Sequence, residues 1–143
     1  MTANDRLDIA SALLRVSLGV MFVSHALLKL MVFTLAGTAA YFESLGLPGL
    51  LAHATFAAEL VGGVMLVAGV RTRAVALALV PVLLGATWAH AGNGWVFSAP
   101  NGGWEYPLFL TVVAAAVALL GGGRYAIDER RPTRAAAPEL RTA

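Results

Sequence analysis

Residues 9–31 read IASALLRVSLGVMFVSHALLKLM, with Leu, Val, Ala, Met and Phe filling most positions from Ile9 to Met31. A helix that crosses the hydrocarbon core of a bilayer needs roughly 20 predominantly apolar residues, and this stretch supplies them. Arg15, His25 and Lys29 lie inside it. Ionisable groups at such depth are costly, so each marks a candidate working part.

The rest of the chain agrees with that opening. Of its 143 residues 59% are hydrophobic and 13% charged, whereas a soluble domain carries about one-quarter charged residues. Such a composition cannot cover a water-facing surface, but it suits a bundle dissolved in lipid. One domain is expected. The net charge of +2 is small, and neither charge nor motif points to nucleic acid as a partner. Cysteine is absent, which removes disulfides, thiolate nucleophiles and Cys-ligated zinc or iron–sulfur clusters. A redox role would require a bound small molecule or a partner protein. A cleaved signal peptide fits poorly, because Asp5 and Asp8 oppose Arg6 in the leader and Arg15 interrupts the apolar run.

Four apolar segments follow one another, at about 9–31, 47–70, 74–91 and 106–120. The fold expected is all-α, an integral membrane four-helix bundle over residues 1–128. A basic, disordered cytoplasmic tail is expected over 129–143. Arg71-Thr72-Arg73 is the short loop that makes the second and third segments an antiparallel hairpin. Arg6, Arg71, Arg73, Arg124, Arg130, Arg131, Arg134 and Arg141 fall in the N-terminus, that loop and the tail. The loops 33–46 and 92–105 contain no Lys or Arg. The positive-inside rule then puts both termini in the cytoplasm. Phe33, Tyr41, Phe42, Trp95, Phe97 and Trp104 crowd the outer loops as interfacial anchors; a sharper alternative makes Trp95 and Trp104 the lid of an outward-facing pocket. Gly19, Gly62, Gly63, Gly69 and Gly85 are packing devices, and Pro81 is expected to bend its helix.

The buried polar groups carry the functional question. His25 and Lys29 are four residues apart and share a helix face, and Arg15 points broadly the same way. Lys29 and Arg15 could each snorkel to the nearest boundary instead. Glu59 sits near the middle of the second segment, where a carboxylate needs a cation or several hydrogen bonds. Counting rise per residue places it between the depths of Arg15 and His25. A Glu59–Arg15 ion pair is one expectation, and a proton-handling or ligand-binding Glu59 beside His25 is the other. Glu105 opens the fourth helix, where an acid complements the helix dipole. Alternatively it faces Lys29 and His90, so that ionisable groups from three helices meet near the outer surface. His25, His53 and His90 all map to the outer third, but no pair has a tight metal-ligand spacing, so haem or metal is the weaker cofactor option. Phosphate-loop, dinucleotide and Ser-His-Asp patterns are missing.

The ordered series of residues resembles a known family. Leu14-Arg15, Gly19, Phe22, His25 and Lys29-Leu30 are similar to the first helix of DoxX-type membrane proteins. The resemblance continues through Tyr41-Phe42, Leu45-Gly46-Leu47-Pro48, Glu59-Leu60-Val61-Gly62-Gly63, Leu66, Gly69, Thr72-Arg73, Glu105 and Gly123-Arg124-Tyr125 to Asp128. Ala26 departs from it, where relatives often have Gly. The resemblance implies a multi-pass protein of the bacterial inner membrane. Some relatives are subunits of a thiosulfate:quinone oxidoreductase; others anchor an assembly with a superoxide dismutase and a thiosulfate sulfurtransferase. His25, Lys29, Glu59, Arg73 and Glu105 are the matched polar positions.

Three functions stay open. In the first, the bundle binds quinone: Lys29 and His25 bond or protonate its carbonyl, Glu59 handles the proton, Arg15 sets the charge state of Glu59, and Glu105, His90 and Trp104 complete the site. In the second, the protein is a non-enzymatic anchor whose Arg-rich loop and tail dock soluble redox enzymes such as a sulfurtransferase or superoxide dismutase. The third is small-solute transport or metal handling. A homo-oligomer is compatible with all three.

Overall fold

A computed structural model describes residues 1–129, whose regular structure is all helical, with no strand among them. Five α-helices follow in order: α1 (Ala3–Met31), α2 (Leu35–Ser44), α3 (Leu50–Ala68), α4 (Thr72–His90) and α5 (Glu105–Leu120). The tail expected over 129–143 lies, from residue 130 onward, outside the described residues. The helix α2 corrects the reading of 33–46 as a loop. Its start is set by Thr34, whose hydroxyl accepts from the amide of Gly37 at 3.1 Å, a side-chain cap that supplies one of the acceptors a helix start lacks.

Three helices, Ala3–Met31, Leu50–Ala68 and Thr72–Asn93, are long and apolar enough to cross a membrane, while α5 is shorter. At 1.5 Å per residue, α3 and α4 span about 28 Å, close to the thickness of a hydrocarbon core. The α1 helix starts earlier than the apolar pattern suggests. Thr2 and Asp5 form a reciprocal cap, the Thr2 hydroxyl accepting from the Asp5 amide and the Asp5 carboxylate accepting from the Thr2 amide. That cap extends the helix about two turns below the apolar run.

The surface is the inverse of a soluble protein's. Val20, Val61, Val64, Leu77, Leu84, Phe109, Val112 and Leu119 are all exposed on the outside of the bundle, an apolar exterior suited to a lipid environment. Inside, Leu18, Phe22, Leu66, Leu79, Leu83, Ala114 and Val117 form the core. Helix α1 packs along α3 and α4 packs along α5, with α3 against α4 joining the two pairs.

The α1–α3 contact is set by two glycines. A Cβ at Gly19 would lie 2.8 Å from the Gly63 carbonyl oxygen, and one at Gly63 would lie 2.9 Å from the Gly19 carbonyl oxygen. Only the absence of both side chains lets the backbones touch, the small-residue device of membrane helix pairs. At the end of α3, Gly69 takes φ +75°. Val70 N–H bonds back to Met65 C=O at 2.9 Å, closing a Schellman turn. The hairpin turn is therefore residues 69–71, and Thr72 and Arg73 already belong to α4. Pro81 lies inside α4, which runs unbroken through it.

Arg15 holds this end of the bundle together. It is 2% exposed. Its Nη1 donates to the carbonyls of Leu66 at 2.6 Å and Val67 at 2.7 Å, and its Nε donates to Gly122 C=O at 3.1 Å. One guanidinium thus ties α1 to the last turn of α3 and to the chain leaving α5. The carbonyls of a helix's last turn have no partner within the helix, and a cation is the favoured donor there. Nearby, Asp128 accepts the Arg71 amide N–H and donates its own amide to Gly69 C=O at 3.3 Å.

Candidate functional site

At the other end, the C-terminal half of α1, Glu59 at the middle of α3, the C-terminal half of α4 and the start of α5 surround a cavity of about 620 Å³. That lies within the range of small-molecule pockets. Met21, Phe22, Val82, Leu83, Pro107 and Leu110 make most of its wall apolar, and His25, Lys29, Glu59, His90 and Tyr106 supply its polar groups. From the loop between α4 and α5, Phe97, Gly102 and Gly103 close over it.

An ion pair dominates the polar side. Lys29 Nζ donates to both carboxylate oxygens of Glu59, at 2.9 and 2.7 Å. The two side chains are 17% and 7% exposed. The expected Glu59–Arg15 pair is not what forms, and the reason is directional. Gly19 against Gly63 sets the register, so Arg15 lies level with Val67, eight residues from Glu59 and about 12 Å along the axis. Side chains on a helix lean toward its own N-terminus. In this antiparallel pair Arg15 and Glu59 lean away from each other, while Lys29 and Glu59 lean toward each other. Arg15 therefore does not pair with Glu59, and it does not line the cavity.

Both cavity histidines are oriented by the backbone. His25 Nδ1 lies 2.9 Å from Met21 C=O, and a carbonyl only accepts, so Nδ1 carries a proton and, in the neutral ring, Nε2 is the acceptor. His90 Nδ1 faces the carbonyls of Asn101 at 3.0 Å and Gly102 at 3.1 Å, which fixes the same tautomer. Asn93 Nδ2 donates to those two carbonyls as well, so its closeness to His90 reflects shared acceptors. The His25 ring stacks on Tyr106 with centroids 6.0 Å apart, and the Tyr106 hydroxyl donates to Met21 Sδ at 3.1 Å. His53 is exposed on α3 and takes no part. Among the described residues, no group of three or more His, Asp and Glu side chains is arranged to hold a metal ion.

Glu105 and Trp104 stand apart from this cluster. Glu105 Oε1 accepts from Phe97 N–H at 2.9 Å, and the residue lines a neighbouring surface groove with Trp95 and Phe109. Its convergence with Lys29 and His90 is not formed, because its carboxylate is spent on folding the loop. Trp104 meets Trp95 edge-on at 4.4 Å and does not line the cavity. The alternative of a tryptophan lid does not form: Phe97, Gly102 and Gly103 line the cavity there instead. A Cβ at Gly103 would sit 2.2 Å from Val96 C=O, so this glycine is what lets the loop fold so tightly. Tyr106 and Met21 also line the cavity, and neither is marked by a charge within an apolar run. Tyr106 stands four residues before Leu110, on the inward stripe of α5 with Ala114 and Val117, and that spacing was the available signal.

Fold and cavity together define a class: an all-helical, multi-pass membrane protein with an ion pair buried beside an apolar cavity. The chain belongs to the DoxX family, whose model matches residues 10–92. It is similar to a protein of Bacillus subtilis (strain 168) that carries the name "Putative oxidoreductase CatD", with 34% identity over 128 residues, 87% of this chain and 89% of that protein. No solved structure matches it. The family match takes in Arg15, His25, Lys29, Glu59 and His90 and stops before Trp104 and Glu105.

Proposed function

We propose that this protein is a four-span inner-membrane component of a quinone-linked redox system and that its cavity binds the quinone or quinol head group. The observation that carries this reading is the Lys29–Glu59 pair, buried in the wall of a largely apolar cavity of about 620 Å³. Quinone reduction takes up protons and quinol oxidation releases them, so a site for either needs apolar walls for the ring and proton-handling groups at the oxygens. Lys29 has a third ammonium proton beyond the two directed at Glu59 and can donate it to a carbonyl oxygen. The acceptor Nε2 of His25 suits a quinol hydroxyl. Glu59, held by Lys29, is the group to which a proton passes next. The name of the Bacillus subtilis relative supports a redox role.

Four spans and cytoplasmic termini complete the proposal. The α5 helix packs along α4 and, at 16 residues, reaches across about 24 Å, a mismatch that local bilayer thinning accommodates. Arg6, Arg71, Arg73 and Arg124 belong to the Arg15 end, whereas segments 32–49 and 91–104 at the cavity end contain no Lys or Arg. This asymmetry supports a cytoplasmic Arg15 end and a cavity near the opposite face.

Optical titration of the purified protein with a quinol analogue tests the reading. Saturable binding is expected, lost in Lys29→Ala and strongly weakened in Glu59→Gln. No binding, or binding indifferent to both substitutions, refutes it.

A further inference from the structure

We propose that a second site, separate from the cavity, lies where α4 begins and binds a phosphate- or sulfate-type oxyanion. A pocket of about 450 Å³ opens there, lined by Arg71, Thr72, Arg73, Gly122, Ala126 and Asp128. Thr72 is only 6% exposed. Its hydroxyl is the one buried side-chain polar atom among the described residues that has no hydrogen-bond partner.

The orphan hydroxyl has a topological cause. Thr38, Thr87 and Thr111 each donate to the carbonyl four residues back, Thr34, Leu83 and Pro107, at 2.8 to 2.9 Å. Thr72 is the first residue of α4. The carbonyl four residues before it belongs to Ala68, the last residue of α3, on the far side of the turn. A buried hydroxyl denied a partner is destabilising, and an acceptor bound in the pocket removes that cost.

The surrounding groups favour an anion. The first turn of a helix presents amide N–H groups that no helical carbonyl can accept, together with the positive end of the helix dipole. The α4 helix has 19 residues and no side chain of its N-cap residue bonded over that end. Asp128 accepts the Arg71 amide and brings one negative charge to the rim, against two positive charges from Arg71 and Arg73. The balance remains cationic, and the later amides of the turn lie beyond the one that Asp128 uses. A tetrahedral oxyanion has enough acceptor oxygens for the Thr72 hydroxyl, the helix start and an arginine together. The same chemistry is offered by the phosphodiester of an anionic lipid and by free inorganic phosphate.

The test uses the full chain in detergent, examined by native mass spectrometry with phosphatidylglycerol, phosphatidylcholine and inorganic phosphate as separate probes. Phosphatidylglycerol or phosphate should bind in preference to phosphatidylcholine. That affinity should fall about tenfold in Thr72→Val and again in Arg73→Gln, the expected scale for one charge-assisted hydrogen bond, while Thr72→Ser retains it. Binding of phosphatidylglycerol alone identifies a lipid headgroup as the occupant, and binding of phosphate alone identifies the free ion. Arg73 is exposed, so Arg73→Gln decides the matter if Thr72→Val fails to fold. Absence of preference over phosphatidylcholine for both probes, or affinities unmoved by the substitutions, overturns the proposal. Quinol-analogue binding at the cavity should be unchanged in these variants, so the two sites fail or succeed independently.

Discussion

Removing Lys29 alone should damage the protein far more than removing Lys29 and Glu59 together. At 2.7 Å, the gross attraction between unit charges is about 6 kcal/mol for an effective dielectric of ~20. Much of it is offset by desolvating two groups whose side chains are 17% and 7% exposed. Lys29→Met removes the attraction but leaves the carboxylate with its desolvation uncompensated, at an expected cost of about 3–5 kcal/mol. The double variant Lys29→Met/Glu59→Leu removes both charges and should recover most of that loss, ending within about 2 kcal/mol of the parent. Denaturant unfolding of the four proteins in one detergent completes a double-mutant cycle, with an expected coupling on the order of 3 kcal/mol. Losses that simply add would mean that Lys29 and Glu59 are not partners, and the polar side of the cavity would need to be redrawn.

Other substitutions probe the rest of the framework. Arg15→Met removes donors to three carbonyls on two segments and should lower stability by about 3 kcal/mol or more, read as a fall in the unfolding midpoint in detergent. Arg15→Lys, a point charge without the guanidinium fork, should restore only part of it. Gly19→Val and Gly63→Val each force α1 and α3 apart and should cost about 1–3 kcal/mol by the same assay, whereas Gly85→Ala meets no neighbouring atom and should be stable. Glu105→Ala frees the Phe97 amide and should lower stability by about 1 kcal/mol. It should also speed quinol-analogue dissociation in stopped flow, with Glu105→Gln close to the parent because its amide oxygen can still accept.

Much of the architecture was legible in the chain because lipid imposes simple demands. Apolar runs of the right length mark α1, α3 and α4, and the single-signed loops suggest which ends lie together. The helix α2 is hard to read from sequence because ten residues, Leu35–Ser44, with no charge pattern resemble an aromatic-rich loop; its Thr34 cap is a local sign. The site was half legible. Glu59, Lys29 and His25 stand out as ionisable groups within apolar helices. Their pairing needed the α1–α3 register and the lean of side chains toward each helix's N-terminus, and depth alone favoured Arg15 as the partner of Glu59. Glu105 misled because an acid at a helix start satisfies two descriptions, and only the fold of residues 94–105 shows its bond to Phe97. Thr72 lacks a partner because the turn at 69–71 separates it from the carbonyl it would use, a fact of three-dimensional placement that no sequence pattern records.

Photoaffinity labelling with an azido-quinone in native membranes addresses the cavity most directly. Covalent label is expected in peptides containing Met21 to Lys29, Val82 to His90 and Tyr106 to Leu110, displaced by unlabelled quinone and strongly reduced in Glu59→Gln. Label confined to the lipid-facing grooves, such as that of Val20, Val64 and Val67, and indifferent to Glu59→Gln, would show that the quinone merely dissolves in the surrounding bilayer.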